Sequence, residues 1–235
     1  MRARYRERAT AAGAARFGSL EPMPKQAIVS IVSVVGALVL IVAVALAVVR
    51  PWEAPEQRAS TPLVGASTHV LDDAGEGAPV VVEFFDYECP SCGRFHPIVE
   101  DLRDRYEGRV TFAVRYFPLP SHPSAVPAAL AAEAAAQQGA FEPMHALLLE
   151  RQQEWSGTEG AEAVFRGYAE ELGLDLDAFD AAVADPATLE RIQQDADAGA
   201  ALGVQSTPTF FVDGELVELR DFGDVETAIE AALAG

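Results

Sequence analysis

The residues from Val80 to Cys92, VVVEFFDYECPSC, place a hydrophobic stretch directly before two cysteines. Val80–Tyr87 is almost continuously apolar and rich in β-branched and aromatic residues, which predicts a central strand covered on both faces. Apolar residues then recur at helical spacing, so Ser91–Tyr106 is predicted to form an amphipathic helix. A strand that ends where a helix begins places both cysteines at the junction of the two elements.

Cys89 and Cys92 are the two cysteines of the 235-residue chain. Residues three apart share one helix face at about 5–6 Å, within reach of a disulfide. Cys89 falls at the helix start, where unpaired N–H groups and the helix dipole favour a thiolate. Pro90 suits the first turn, because its missing N–H costs little there. The pattern favours a redox-active pair, with Cys92 as the more buried thiol.

Two other interpretations of the pair stay open. A structural disulfide is common in exported proteins, although a loop this short constrains the unfolded chain very little. A zinc site needs four ligands. Cys89, Cys92 and His96 could supply three of them, with the more distant His122 as the fourth. The sequence indicates no partner for His96, His122 or His145, so surface or helix-packing positions are expected for them.

The rest of the domain mixes strands and helices in the order β-α-β, helices, β-β-α, an α/β class. The predicted elements are a strand at Val110–Phe117, an Ala-rich helical insertion at about 121–200, a hairpin of Pro208–Val212 and Leu216–Leu219 around Asp213-Gly214, and a last helix through Leu233 capped by Asp224. Residues 68–235 are long enough to form one domain with a real core.

The run Ala27–Val49 contains no charged residue over 23 positions. A helix of that length spans about 34 Å, enough for a hydrocarbon core of about 30 Å. It is longer than the apolar region of about 7–15 residues in a cleaved signal peptide. The sequence therefore predicts a transmembrane helix at 27–49, between a basic segment at 1–26 and a Pro-rich linker at 50–67.

Charge supports a single-pass protein of the cell membrane. The first 50 residues carry seven basic and two acidic residues, whereas the whole chain has a net charge of −19. The positive-inside rule then puts the N-terminus in the cytoplasm and residues 68–235 outside. The strongly acidic outer domain argues against nucleic acid as a partner.

The CPSC segment and a second motif, GVQSTPTFFVDG at Gly203–Gly214, together resemble the thioredoxin-fold oxidoreductases of the DsbA type, which include membrane-anchored proteins of Gram-positive bacteria. The resemblance covers about His69–Gly235. It implies a thioredoxin-like fold, with a central mixed sheet flanked by helices and a helical insertion, here preceded by one transmembrane helix.

The resemblance also implies roles by position. Cys89 corresponds to the nucleophile and Cys92 to the resolving cysteine. Thr207 and Pro208 correspond to the cis-proline site that faces the disulfide, where an extended substrate can pair with the backbone. Pro97 corresponds to a proline that kinks the helix, with a helix that starts near Pro97 as the alternative.

Glu83 corresponds to the acidic residue that this family keeps beneath the disulfide. Inside an apolar strand its carboxyl should be buried, with a raised pKa. The hypothesis is that Glu83, through water, shuttles the proton of Cys92 during exchange. The alternative is a strand-edge or salt-bridged glutamate, paired with Arg115.

The implied function is exchange of the Cys89–Cys92 disulfide with cysteines of exported proteins, as an oxidase. It would need a membrane reoxidase of the DsbB or VKOR type and no organic cofactor.

The direction of exchange stays open. Ser91 stands where the most oxidising members carry histidine, and Asp86 and Glu88 would oppose ionisation of Cys89 unless they point to solvent. A reductase or isomerase, or a tethered peptide-binding or chaperone module, is the alternative.

Overall fold

The computed structural model describes residues 61–65, 68–158 and 160–235. The predicted basic segment at 1–26, the predicted transmembrane helix at 27–49 and most of the predicted linker lie outside these residues. None of the helices in the described ranges combines the length and the apolar character that a bilayer crossing requires.

In the described part of the chain, five strands form one mixed sheet. They are β1 (His69–Asp72), β2 (Val80–Phe85), β3 (Thr111–Tyr116), β4 (Thr209–Val212) and β5 (Glu215–Leu216). Their order in space is β1-β3-β2-β4-β5, with β2 and β3 parallel and the other pairs antiparallel. The predicted central strand is confirmed in β2, whereas β1 was not predicted, because four residues carry too little alternation to identify a strand.

The helices lie between and after the strands. They are α1 (Pro90–Arg105), α2 (Ala125–Ala136), α3 (Phe141–Glu150), α4 (Gln152–Trp155), α5 (Ala161–Glu171), α6 (Leu176–Ala184), α7 (Pro186–Leu202) and α8 (Asp224–Ala234). Helix α1 connects the parallel strands β2 and β3, which need a crossover. Helices α2–α7 fill the predicted insertion between β3 and β4, so its helical character is confirmed.

Strand β2 is covered on both faces, as its continuous apolar run predicted. Val82 and Phe84 point to one face and pack in a small cluster with residues of β3 and β4. Val81 and Phe85 point to the other face and pack in the main core with both cysteines. Since successive side chains of a strand alternate between faces, Glu83 shares the face of the cysteines.

The hairpin turn has the geometry that its sequence predicted. Asp213 has φ 48° and Gly214 has φ 90°, as a two-residue turn with positive φ at both central positions requires. The second strand, β5, is shorter and begins one residue earlier than the predicted Leu216–Leu219.

The predicted capping role of Asp224 is wrong. Gly223 occupies the N-cap position of α8. The Asp224 carboxylate instead accepts the backbone N–H groups of Arg220 at 2.5 Å and Asp221 at 2.8 Å. Asp224 therefore stabilises the turn that precedes the helix.

Candidate active site

The cysteines occupy the first turn of α1. Cys89 is the N-cap residue, with an extended backbone (φ −68°, ψ 119°), and Pro90 follows as the first helical residue. Gly93 N donates to Cys89 O at 3.2 Å, which closes the first turn around both thiols. Pro97 lies inside α1, so the alternative in which a helix starts near Pro97 is wrong.

A glutamine from the helical insertion holds this turn in place. Gln152 Nε2 donates to Tyr87 O at 2.6 Å and to Cys89 O at 2.9 Å. The glutamine can approach because residue 93 is glycine, where a Cβ would lie 2.7 Å from Gln152 Oε1. Sequence reasoning missed this contact, since nothing local in the sequence links Gln152 to the cysteines.

The second motif meets the first at Cys89. The Thr207–Pro208 bond is cis, as the resemblance implied. The Cys89 thiol donates to Thr207 O at 3.3 Å, across 118 positions of sequence. Among the described residues, the buried hydroxyl of Thr207 has no hydrogen-bond partner.

The two cysteines are free thiols with opposite acidities. The hydrogen bond from the Cys92 thiol, together with the N–H groups of Ser91 and Cys92, outweighs burial and lowers the pKa of Cys89 to about 5. Burial raises the pKa of Cys92 well above its ordinary value, and the nearby Cys89 and Glu83 add to the shift. Since the thiolate is the reactive form, Cys89 is suited to nucleophilic attack and Cys92 to holding a proton.

Glu83 lies beneath the pair, on β2. Burial raises the pKa of Glu83 to about 8, with smaller contributions from the charges of Cys89 and Glu100. Arg115 does not neutralise it, because the guanidinium pairs with Asp195 at 2.7 Å. The alternative in which Glu83 pairs with Arg115 is therefore wrong, and the predicted burial of the Glu83 carboxyl is confirmed.

Asp86 and Glu88, the two acidic residues before Cys89, point inward rather than to solvent. They are only 2% and 4% exposed, respectively. Glu88 accepts the backbone N–H groups of Ser124 at 2.6 Å and Gly157 at 2.9 Å. The alternative in which both carboxylates point to solvent is therefore wrong, because hydrogen-bond donors of other loops hold them inside.

Asp86 connects the cysteines to the loop that follows β3. Its backbone N–H donates to Cys92 Sγ at 3.5 Å. Its carboxylate accepts Glu88 N at 2.8 Å, Leu119 N at 2.9 Å and His122 Nδ1 at 2.7 Å. The sequence indicated no partner for His122, and the structure places this side chain beside the active site.

His96 and His145 pack inside the domain. The Tyr87 hydroxyl and His145 Nδ1 lie 3.0 Å apart, and the ring of His96 meets that of His145 edge-on at 5.6 Å. Burial holds the pKa of His145 well below its ordinary value. Within the described ranges, no group of three or more His, Cys, Asp or Glu side chains is arranged to hold a metal ion.

Sequence comparison places this chain within a known family. The family model described as thioredoxin matches residues 75–231. Over 175 residues the chain is 45% identical to the Na(+)/H(+) antiporter NhaA 3 of Salinispora tropica, a match that covers 68% of this chain and 26% of that protein. The chain thus spans about a quarter of the length of this relative, which is a far longer protein.

Two solved structures are similar over most of their own length. A thioredoxin-like oxidoreductase from Silicibacter pomeroyi is 31% identical with a TM-score of 0.62, covering 74% of this chain and 96% of that one. Oxidised BdbD from Bacillus subtilis is 23% identical with a TM-score of 0.65, covering 72% and 94%. The chain therefore belongs to the thioredoxin family, as a thiol–disulfide oxidoreductase.

Proposed function

We propose that this domain is an oxidase that transfers its Cys89–Cys92 disulfide to cysteines of exported proteins. The observation that carries the proposal is the position of Cys89 at the N-cap of α1, where Cys92 and the N–H groups of the first turn lower its pKa to about 5. Such a thiol is about 99% ionised at pH 7. A stabilised thiolate favours the reduced enzyme, so the disulfide is readily passed on to a substrate.

The exchange proceeds in two displacements. A substrate thiolate attacks Cys89 Sγ, forms a mixed disulfide and breaks the bond to Cys92, which leaves as a thiolate and takes up a proton. A second substrate thiolate then attacks the substrate sulfur of the mixed disulfide and releases Cys89 as a thiolate. Two electrons pass from the substrate to the enzyme, and the substrate gains the disulfide.

Glu83 is proposed to supply the proton that Cys92 needs. With a pKa raised to about 8, most of the Glu83 carboxyl is protonated at pH 7. Glu83 shares the sheet face of the cysteines, and its charge adds to the raised pKa of Cys92. These observations support proton transfer through water between Glu83 and Cys92. Glu83 acts as a general acid when Cys92 takes up a proton and as a general base when Cys92 loses one.

The proposed setting is the outer face of the cell membrane. The predicted helix at 27–49 would anchor the domain near newly exported chains. A reduced enzyme must be reoxidised to act again, and we propose a membrane partner of the DsbB or VKOR type. The exchange uses protein sulfurs alone and needs no organic cofactor.

The reduction potential tests the direction of electron flow. The full chain in detergent is equilibrated with glutathione buffers of stepped ratio, and the fraction of free thiol is measured. We expect a potential well above about −270 mV, the value for thioredoxin. A potential at or below that value would overturn the oxidase in favour of a reductase, and no redox equilibrium at all would leave a binding module.

A further inference from the structure

We infer that the His122 imidazolium, held in place by Asp86, stabilises the Cys89 thiolate and offsets the negative charge before the cysteines. This inference rests on the proposed function, because it concerns the same thiolate. Ser91, inside the CPSC motif, carries no charge. The positive group would instead come from a loop that lies 33 positions after Cys89.

Asp86 is the link between His122 and both thiols. Asp86 Oδ2 accepts His122 Nδ1 at 2.7 Å. The backbone of Asp86 contacts both cysteines: its N–H donates to Cys92 Sγ at 3.5 Å, and its carbonyl accepts Cys89 N at 3.1 Å. A single residue therefore connects the imidazole to the start of α1.

The loop is also fixed on either side of His122. Its own N–H donates to Leu119 O at 3.0 Å, and its carbonyl accepts Ala125 N at 3.2 Å. Two residues further along, Ser124 N donates to Glu88 at 2.6 Å. Moving this loop away from the site would therefore break several backbone hydrogen bonds, and the bond to Asp86 orients the imidazole.

The contacts of Asp86 favour an ion pair with the proton on the histidine. Oδ1 accepts Glu88 N, and Oδ2 accepts Leu119 N as well as the imidazole. Burial raises the pKa of Asp86 above its ordinary value, although these donors offset part of the rise. A protonated carboxyl would turn its O–H toward N–H donors, so we assign the shared proton to His122.

The charged groups that act most strongly on His122 are negative: the carboxylates of Asp86 and Glu88 and the Cys89 thiolate. Burial disfavours the imidazolium, yet the hydrogen bond and charge of Asp86, with the charges of Cys89 and Glu88, outweigh it and raise the pKa of His122. Attraction between two titrating groups is reciprocal. The Cys89 thiolate stabilises the His122 imidazolium, and the imidazolium therefore stabilises the thiolate by the same free energy.

The test is a pH titration of the Cys89 thiolate, followed by its ultraviolet absorbance in the reduced full chain. His122→Gln removes the charge and keeps an amide donor for Asp86, and His122→Lys restores a positive charge. The matched control is His69→Gln on the edge strand β1, since His69 also pairs with a carboxylate, Glu133, at 2.5 Å.

We expect His122→Gln to raise the pKa of Cys89 by about one unit, as the loss of one nearby positive charge would at intermediate dielectric. At neutral pH the reduced form should then be about tenfold less favoured relative to the disulfide. This change lowers the reduction potential by about 30 mV. His122→Lys should recover part of the change, and the His69→Gln control should show none.

The outcomes separate this inference from the proposed function. A low wild-type pKa of Cys89 that His122→Gln leaves unchanged would overturn the role of His122 and leave the oxidase intact. An ordinary wild-type pKa near about 8.5 would overturn both. Should His122→Gln fail to fold, NMR titration of His122 in Cys89→Ser gives the reciprocal test: its pKa must fall, and an unchanged value refutes the inference.

Discussion

Replacing Glu83 with glutamine should change the stability of the reduced protein in favour of the variant as the pH rises. Burial on β2 is the main cause that raises the pKa of Glu83 from its ordinary value of 4.5 to about 8. The folded state therefore binds this proton more tightly than the unfolded state. As the pH rises above the pKa that Glu83 has in the unfolded state, ionisation of the buried carboxyl lowers the free energy of unfolding. This loss reaches its full size above the pKa of the folded state.

The size of the effect follows from that shift. A pKa raised from 4.5 to about 8 corresponds to about 5 kcal/mol at 1.36 kcal/mol per unit. The glutamine side chain has nearly the same shape and no charge, but its buried amide needs hydrogen bonds that cost part of the gain. We therefore expect Glu83→Gln to be about 3 kcal/mol more stable than wild type above pH 8, and about 2 kcal/mol less stable near pH 4, where only the cost of the buried amide remains.

Urea unfolding of the reduced protein across this pH range measures the difference. Glu171→Gln is the matched control, because Glu171 is an exposed carboxylate that pairs with Arg151 at 2.8 Å. The control should show no gain that grows between pH 5 and 9. Parallel stability curves for Glu83→Gln and wild type would mean that Glu83 ionises normally. That result would also remove the proposed proton source for Cys92.

Three further substitutions probe the site and the fold. In Cys92→Ser, Cys89 can still attack a substrate disulfide, but the protein has no second thiol to resolve the mixed disulfide that forms. Mixed disulfides with substrates should therefore accumulate on non-reducing gels. Gly93→Ala puts a Cβ 2.7 Å from Gln152 Oε1 and should cost about 1–3 kcal/mol in urea unfolding, with slower exchange. Trp155→Ala empties a fully buried site, where the indole N–H donates to Leu148 O at 3.1 Å, and should cost about 3–5 kcal/mol while leaving the pKa of Cys89 unchanged.

The local part of the site could be predicted from the sequence. An apolar run, two cysteines three apart and a proline between them define β2, the turn and the start of α1 within one or two residues. The hairpin was equally local, because Asp213 and Gly214 need only each other to form the turn. Thr207–Pro208 was found through resemblance, since nothing around that dipeptide distinguishes a cis bond from an ordinary turn.

What the sequence could not supply are the contacts between distant loops. Gln152 reaches Cys89 from α4, and His122 reaches Asp86 from the loop after β3. Each pairing depends on how the insertion packs against the sheet, and a single sequence carries no periodicity that reports it. The edge strand β1 was missed for a related reason, because its pairing with β3 defines it more than its own four residues do.

The acidic residues before Cys89 show why this distinction matters for function. Read locally, Asp86 and Glu88 oppose a thiolate, since like charges raise each other's proton affinity. In the folded domain both carboxylates are engaged by donors: His122 and backbone N–H groups for Asp86, Ser124 N and Gly157 N for Glu88. These hydrogen bonds fix the surrounding loops in place. The same carboxylates that appear unfavourable in sequence thus hold in place the groups that surround an acidic Cys89.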